Sequence, residues 1–115
     1  MPTIMQPNET PILSQGDGWQ EIGLTLPDTF AEATLVARRW ILAPGARGPQ
    51  LEQGTHEQLL YVIRGSGIAE VDGEALALSD ESMLWLEAGE CYCFVAGADG
   101  LEILQGYETL TKVTS

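Results

Sequence analysis

From Trp19 onward the apolar positions fall into short runs, broken by turn residues every eight to twelve positions. Residues 33–42 are long enough for a strand and stop at Ala43-Pro44-Gly45. A second run, residues 59–63, meets Gly65-Ser66-Gly67, which reads as a tight turn between strands. Residues 68–71 and 74–78 flank Asp72-Gly73. An Asp-Gly pair between two such runs predicts a hairpin, because a type I′ turn needs positive φ at both central positions. Residues 83–86, 91–95 and 101–104 each run into a glycine soon after, at Gly89, Gly97 and Gly106. Apart from a candidate turn at residues 28–33, no segment sustains a 3.6-residue period with caps, and no repeat is visible. The pattern predicts an all-β, antiparallel protein, as a barrel or a two-sheet sandwich. Residues 1–18 contain Pro2, Pro7, Pro11, Gly16 and Gly18 and read as an N-terminal arm with one short strand near Ile12-Leu13. Residues 19–115 then form a single domain.

Charge narrows the range of partners. The 115 residues include 5 basic and 17 acidic side chains, a formal net charge of −12. Between Gly65 and Thr111 every charged side chain is acidic. Such a surface repels a phosphate backbone and an anionic bilayer alike, so neither nucleic acid nor membrane is expected as a partner. No apolar run approaches the ~20 residues of a spanning helix. No secretory signal is legible at the N-terminus. Cys91 and Cys93 lie two apart, a spacing that on a strand gives poor disulfide geometry. A reduced, cytoplasmic protein is the expectation. At 44% hydrophobic the chain can build a real core.

Ala43-Pro44-Gly45, the run from Leu59 to Gly67, Val71-Asp72-Gly73-Glu74 and the block Leu84-Trp85-Leu86-Glu87-Ala88-Gly89-Glu90 together resemble the cupin superfamily over about half the chain. The resemblance implies a jelly-roll β-barrel. It says little about activity, because that fold carries enzymes, storage proteins and sensors. It also implies positions for a metal site at the barrel mouth, which the family ordinarily builds from three histidines and a glutamate. Taking Gly65 as the motif glycine, the glutamate position is Gln58 and the first two histidine positions are Glu52 and Gly54. In the second block Glu87 stands for the usual proline, Gly89 matches, and the last histidine position is Tyr92. None of the four ligands has its expected type.

Strand parity adds a geometric expectation. If the segment before Gly65 is one continuous strand, Glu52, His56 and Gln58 share the inward face. Tyr92 then points into the same cavity from the opposing strand. The expected ligand-binding set is Glu52, His56, Gln58 and Tyr92, walled by Leu60, Val62 and Phe94. A neutral or anionic small molecule suits this mixture of donors and acceptors. Two functional classes follow. In the first, the pocket binds or senses a small molecule with no metal. In the second, a small enzyme works by acid–base chemistry through His56 and Tyr92, with His56 as the base. A divalent transition metal held by Glu52, His56 and Gln58 is the other form of that second class, though an imidazole, one carboxylate and a neutral amide make a weak cage.

The remaining features read as structural. Cys91 and Cys93 bracket Tyr92 and therefore face away from the interior, with no cation nearby in the sequence to activate them. One of Arg38 and Arg39 must face inward, where an internal carboxylate, Glu52 or another acid, is the expected partner and a small carboxylate ligand is the alternative. Glu70, Asp72 and Glu74 read as a solvated hairpin edge. The outward side chains Leu59, Tyr61 and Ile63 form an apolar sheet face that needs a cover, and this predicts a homodimer.

Overall fold

The computed structural model describes residues 10–24, 35–52 and 57–108 of the chain. Eight strands are present: β1 (Ile12–Gly16), β2 (Trp19–Gly23), β3 (Leu35–Leu42), β4 (Leu51–Glu52), β5 (Gln58–Val71), β6 (Glu74–Leu78), β7 (Met83–Leu86) and β8 (Cys91–Glu108). All pairings are antiparallel, and no helix occurs among the described residues. The all-β expectation holds.

Two long strands organise the molecule. The first half of β5 lies between β7 and the second half of β8, which continues through β3, β2 and β1. The second half of β5 lies between β6 and the first half of β8, which also takes β4. β5 and β8 therefore pass from one sheet to the other. The register between them slips at the passage, where Gly65 faces Leu101 but Gly67 faces Ala96. Here the sequence reading needs correction. Gly65-Ser66-Gly67 is a bulged bend inside one strand and not a turn between two strands. Gly97 likewise interrupts β8 without ending it. The physical reason is close approach: a Cβ on Gly65 would lie 2.2 Å from the Gly100 carbonyl oxygen, and one on Gly67 the same distance from that of Val95. Glycines let the two backbones cross while both stay extended.

The hairpin expected at Asp72-Gly73 is present, with φ of 47° and 87° at the two central residues and Val71 paired to Glu74. β6 and β7 span the expected residues. β1 lengthens the short strand expected near Ile12-Leu13 and pairs it with β2 across Asp17-Gly18. The candidate turn at residues 28–33 lies outside the described residues, as does the start of the run expected from residue 33.

The core sits between the two sheets. Trp40, Leu42, Leu60, Val62, Leu86, Phe94, Leu101 and Ile103 are buried together. On β8 the alternation is plain: Leu101, Ile103 and Gln105 face in, and Glu102 and Leu104 face out. Outward Glu102 is held by Arg39 at 2.7 Å and Arg64 at 2.9 Å.

Candidate functional site

Four inward side chains from three strands meet at one end of the core. Trp40 comes from β3, Gln58 from β5, and Tyr92 and Gln105 from the two halves of β8. Gln105 is 0% exposed, Tyr92 3% and Gln58 8%. The Trp40 indole N–H donates to Gln105 Oε1 at 2.6 Å. Gln105 Nε2 donates to the Tyr92 hydroxyl oxygen at 2.7 Å and to Gln58 Oε1.

The direction of this network follows from one residue. An indole can only donate, so the Gln105 oxygen must face Trp40 and its two N–H groups must face Tyr92 and Gln58. Gln58 must then turn its own oxygen toward Gln105. Both N–H groups of Gln105 are thereby used. Among the described residues, the Gln58 N–H groups and the Tyr92 hydroxyl hydrogen have no acceptor. Burial pushes the Tyr92 phenol up from its ordinary value, only partly opposed by the bond from Gln105 and by the charge of Arg38. At neutral pH Tyr92 is a hydrogen-bond donor and an acid, not a base.

A charged pair stands beside this cluster. Arg38 is the strand partner of Gln105 and shares the inward face of β3 with Trp40. Its guanidinium donates to Glu21 Oε2 at 3.0 Å and to the Tyr107 hydroxyl at 3.0 Å, and it lies 5.6 Å from the Tyr107 ring centre. Glu21 also accepts from the Ser14 hydroxyl at 2.7 Å. The inward arginine thus pairs with Glu21, not with Glu52. Arg38 stays about one-third exposed while Glu21 is nearly closed off, so the cation faces the open side.

Of the expected site residues, the structure brings together Gln58 and Tyr92, with Leu60 and Phe94 in the adjoining core. Glu52 is not with them. It is exposed and pairs with Cys91 on the outward side of β8, while Leu51 opposite Tyr92 faces in. The parity count failed because it assumed a continuous strand, whereas β4 ends at Glu52 and Glu57 lies outside any strand. His56 lies outside the described residues. Gln105 was missed, although a signal for it existed: it is the polar third member of the stripe Leu101, Ile103, Gln105. Arg38 and Glu21 could not be paired from sequence, because register across β2 and β3 brings them together.

The cysteines do face away from the interior, as expected, but Cys93 has a cation beside it. Arg47 donates to Cys93 Sγ at 3.1 Å and makes two bonds to Glu70 at 2.9 and 3.1 Å. Burial still pushes the Cys93 thiol up, and the Arg47 charge only partly offsets it. Cys93 is therefore a protonated, packed thiol, and both cysteines are free.

The described residues do not fit the metal that the barrel mouth of this fold is associated with. Glu52 points away, the Gln58 oxygen is committed to Gln105, and Tyr92 holds its proton. No group of three His, Cys, Asp or Glu side chains converges among the described residues.

No protein-family model and no curated protein matches the chain by sequence. Solved structures match it closely in shape. KdgF from Halomonas sp. superposes with a TM-score of 0.76 at 18% identity, over 97% of each chain. An RmlC-like cupin from Shewanella frigidimarina gives 0.74 at 19%, covering 97% of this chain and 95% of that one. The polyketide cyclase RemF from Streptomyces resistomycificus gives 0.77 at 14%, covering 98% and 83%. With superpositions of that quality over nearly the whole of each chain, the protein has the fold of the cupin superfamily.

Proposed function

We propose that this cupin domain binds a small organic molecule through oxygen acceptors, without a metal between protein and ligand. The observation that carries the reading is the surplus of donors at the buried cluster. Two N–H groups of Gln58 and the hydroxyl of Tyr92 lack acceptors among the described residues, and a buried donor left unpaired costs about 1–3 kcal/mol. A ligand carboxylate or carbonyl placed there relieves that penalty. Arg38 beside the cluster favours a carboxylate, and its anchoring by Glu21 and Tyr107 holds it in place before the ligand arrives. Tyr92, kept protonated by burial, donates across the physiological range.

The test is a titration of the protein with small mono- and dicarboxylates, followed by NMR of the Gln58 and Gln105 side-chain amides. A carboxylate that binds is expected to shift both amides, and Arg38→Met is expected to weaken it by about tenfold, since bonds to charged groups contribute ~1.5–3 kcal/mol. Stoichiometric transition metal that survives dialysis, and that ligands reach directly, would refute the metal-free reading.

A further inference from the structure

The buried cluster holds more donors than its own acceptors use, and its innermost pair decides where the surplus falls. An indole, two primary amides and a phenol bring together many N–H and O–H groups but few oxygens. Exposure rises along the chain of bonds, from Trp40 and Gln105 at the closed end to Tyr92 and then Gln58. With the Gln105 oxygen turned to Trp40, every donor of that inner pair is used, and the surplus lies on Gln58 and Tyr92. Turned the other way, Gln105 would accept from Gln58 and Tyr92 and leave its own N–H groups stranded in the core. Gln58 would then present its oxygen to a ligand, and Tyr92 the lone pairs of its hydroxyl.

The indole is held where it is. Trp40 lies between its strand partners Glu21 and Ile103. Its ring packs against Trp19 at 5.9 Å and, edge-on, against Phe94 at 6.1 Å. Among the described residues its N–H has no acceptor except Gln105 Oε1. A phenylalanine would fill much of this space with no polar group to satisfy, so packing alone does not call for an indole here.

We propose that Trp40 is the positioning residue that sets the class of ligand this site takes. Its N–H holds Gln105 in the one orientation that leaves Gln58 and Tyr92 as donors, and so selects groups that accept over groups that must donate. The inference rests on the metal-free reading above and divides its selectivity between two residues. Arg38 supplies charge, which draws any anion toward the cluster. Trp40 supplies direction, which acts only on a group seated against Gln58 and Tyr92. It does so without touching that group, since Gln105 stands between them.

The experiment is NMR of the full chain and of Trp40→Phe, each ligand-free and then titrated with succinate. In the ligand-free wild type the side-chain amide protons of Gln105 are expected to contact the Tyr92 ring. In the variant they are expected to turn to the ring at position 40. The Tyr92 hydroxyl proton, now donated to Gln105, should then become visible without ligand. Succinate affinity should fall about tenfold or more although Arg38 is untouched, because charge-assisted bonds from Gln58 and Tyr92 are lost. Amide contacts that stay with Tyr92 in the variant would overturn the proposal. So would equal succinate affinity in the two proteins, or a variant in which a loosened core leaves the Gln105 amide with no fixed contact. Reversed contacts with no succinate bound to either protein would sink the carboxylate reading and uphold Trp40 as the residue that sets the direction. Should Trp40→Phe fail to fold, the wild-type spectrum decides: Gln105 amide protons against Tyr92 uphold the assignment, and amide protons against the indole N–H overturn it.

Discussion

A primary amide can be turned either way in a crowded interior, and at Gln105 the indole of Trp40 removes the choice. One donor-only neighbour fixes the polarity of a four-residue network and leaves its far end rich in N–H and O–H groups. The exposed counterpart is Arg47, whose two bonds to Glu70 hold that carboxyl below its ordinary value of 4.5. A carboxylate depressed in the folded state stabilises the fold above its ordinary value, and that contribution is lost as pH falls through the folded value. Glu70→Gln is therefore expected to lower the urea midpoint near neutrality, with the gap to wild type closing in acid. A gap independent of pH would show that charge plays no part. At this scale the sequence was half legible. The family resemblance joined to alternation found Gln58 and Tyr92, and both do sit on regular strand. It misplaced Glu52 because alternation says nothing once a strand stops, and it could not see Arg47 beside Cys93 because that contact depends on how a loop folds back.

At the scale of elements, hairpin chemistry was the most readable signal, since Asp72-Gly73 carries its own backbone requirement. Glycines at 65, 67 and 97 were harder to read. The same residue serves a turn and a crossing of two extended backbones, and only the partner strand distinguishes them. Gly65 and Gly45 give a direct comparison, both having positive φ, at 100° and 74°. An alanine at Gly45 meets nothing within 4 Å, whereas at Gly65 it meets the Gly100 backbone. Gly45→Ala should cost only left-handed strain, about 1–2 kcal/mol. Gly65→Ala should cost roughly 1–3 kcal/mol beyond that, from overpacking at the crossing. Chemical denaturation of the two variants measures the difference, and equal losses would mean that the crossing relaxes freely.

On the scale of the whole molecule, the all-β class was legible because short alternating runs and turn residues leave few other architectures. The division into sheets was not, because it arises where two strands bend, and bending is a property of the pair. Those two shared strands have a further consequence. Since β5 and β8 each run through both sheets, neither sheet can lose its central pairing while the other keeps its own. The two layers belong to one cooperative unit, whereas separately closed sheets open at different free energies. Native-state hydrogen exchange should accordingly give one common opening free energy for buried amides on both sides of the bend, with Val62 and Ile103 matching Ala69 and Phe94. Two distinct protection levels would mean that the bend at Gly65 acts as a hinge, and that the molecule breathes one layer at a time.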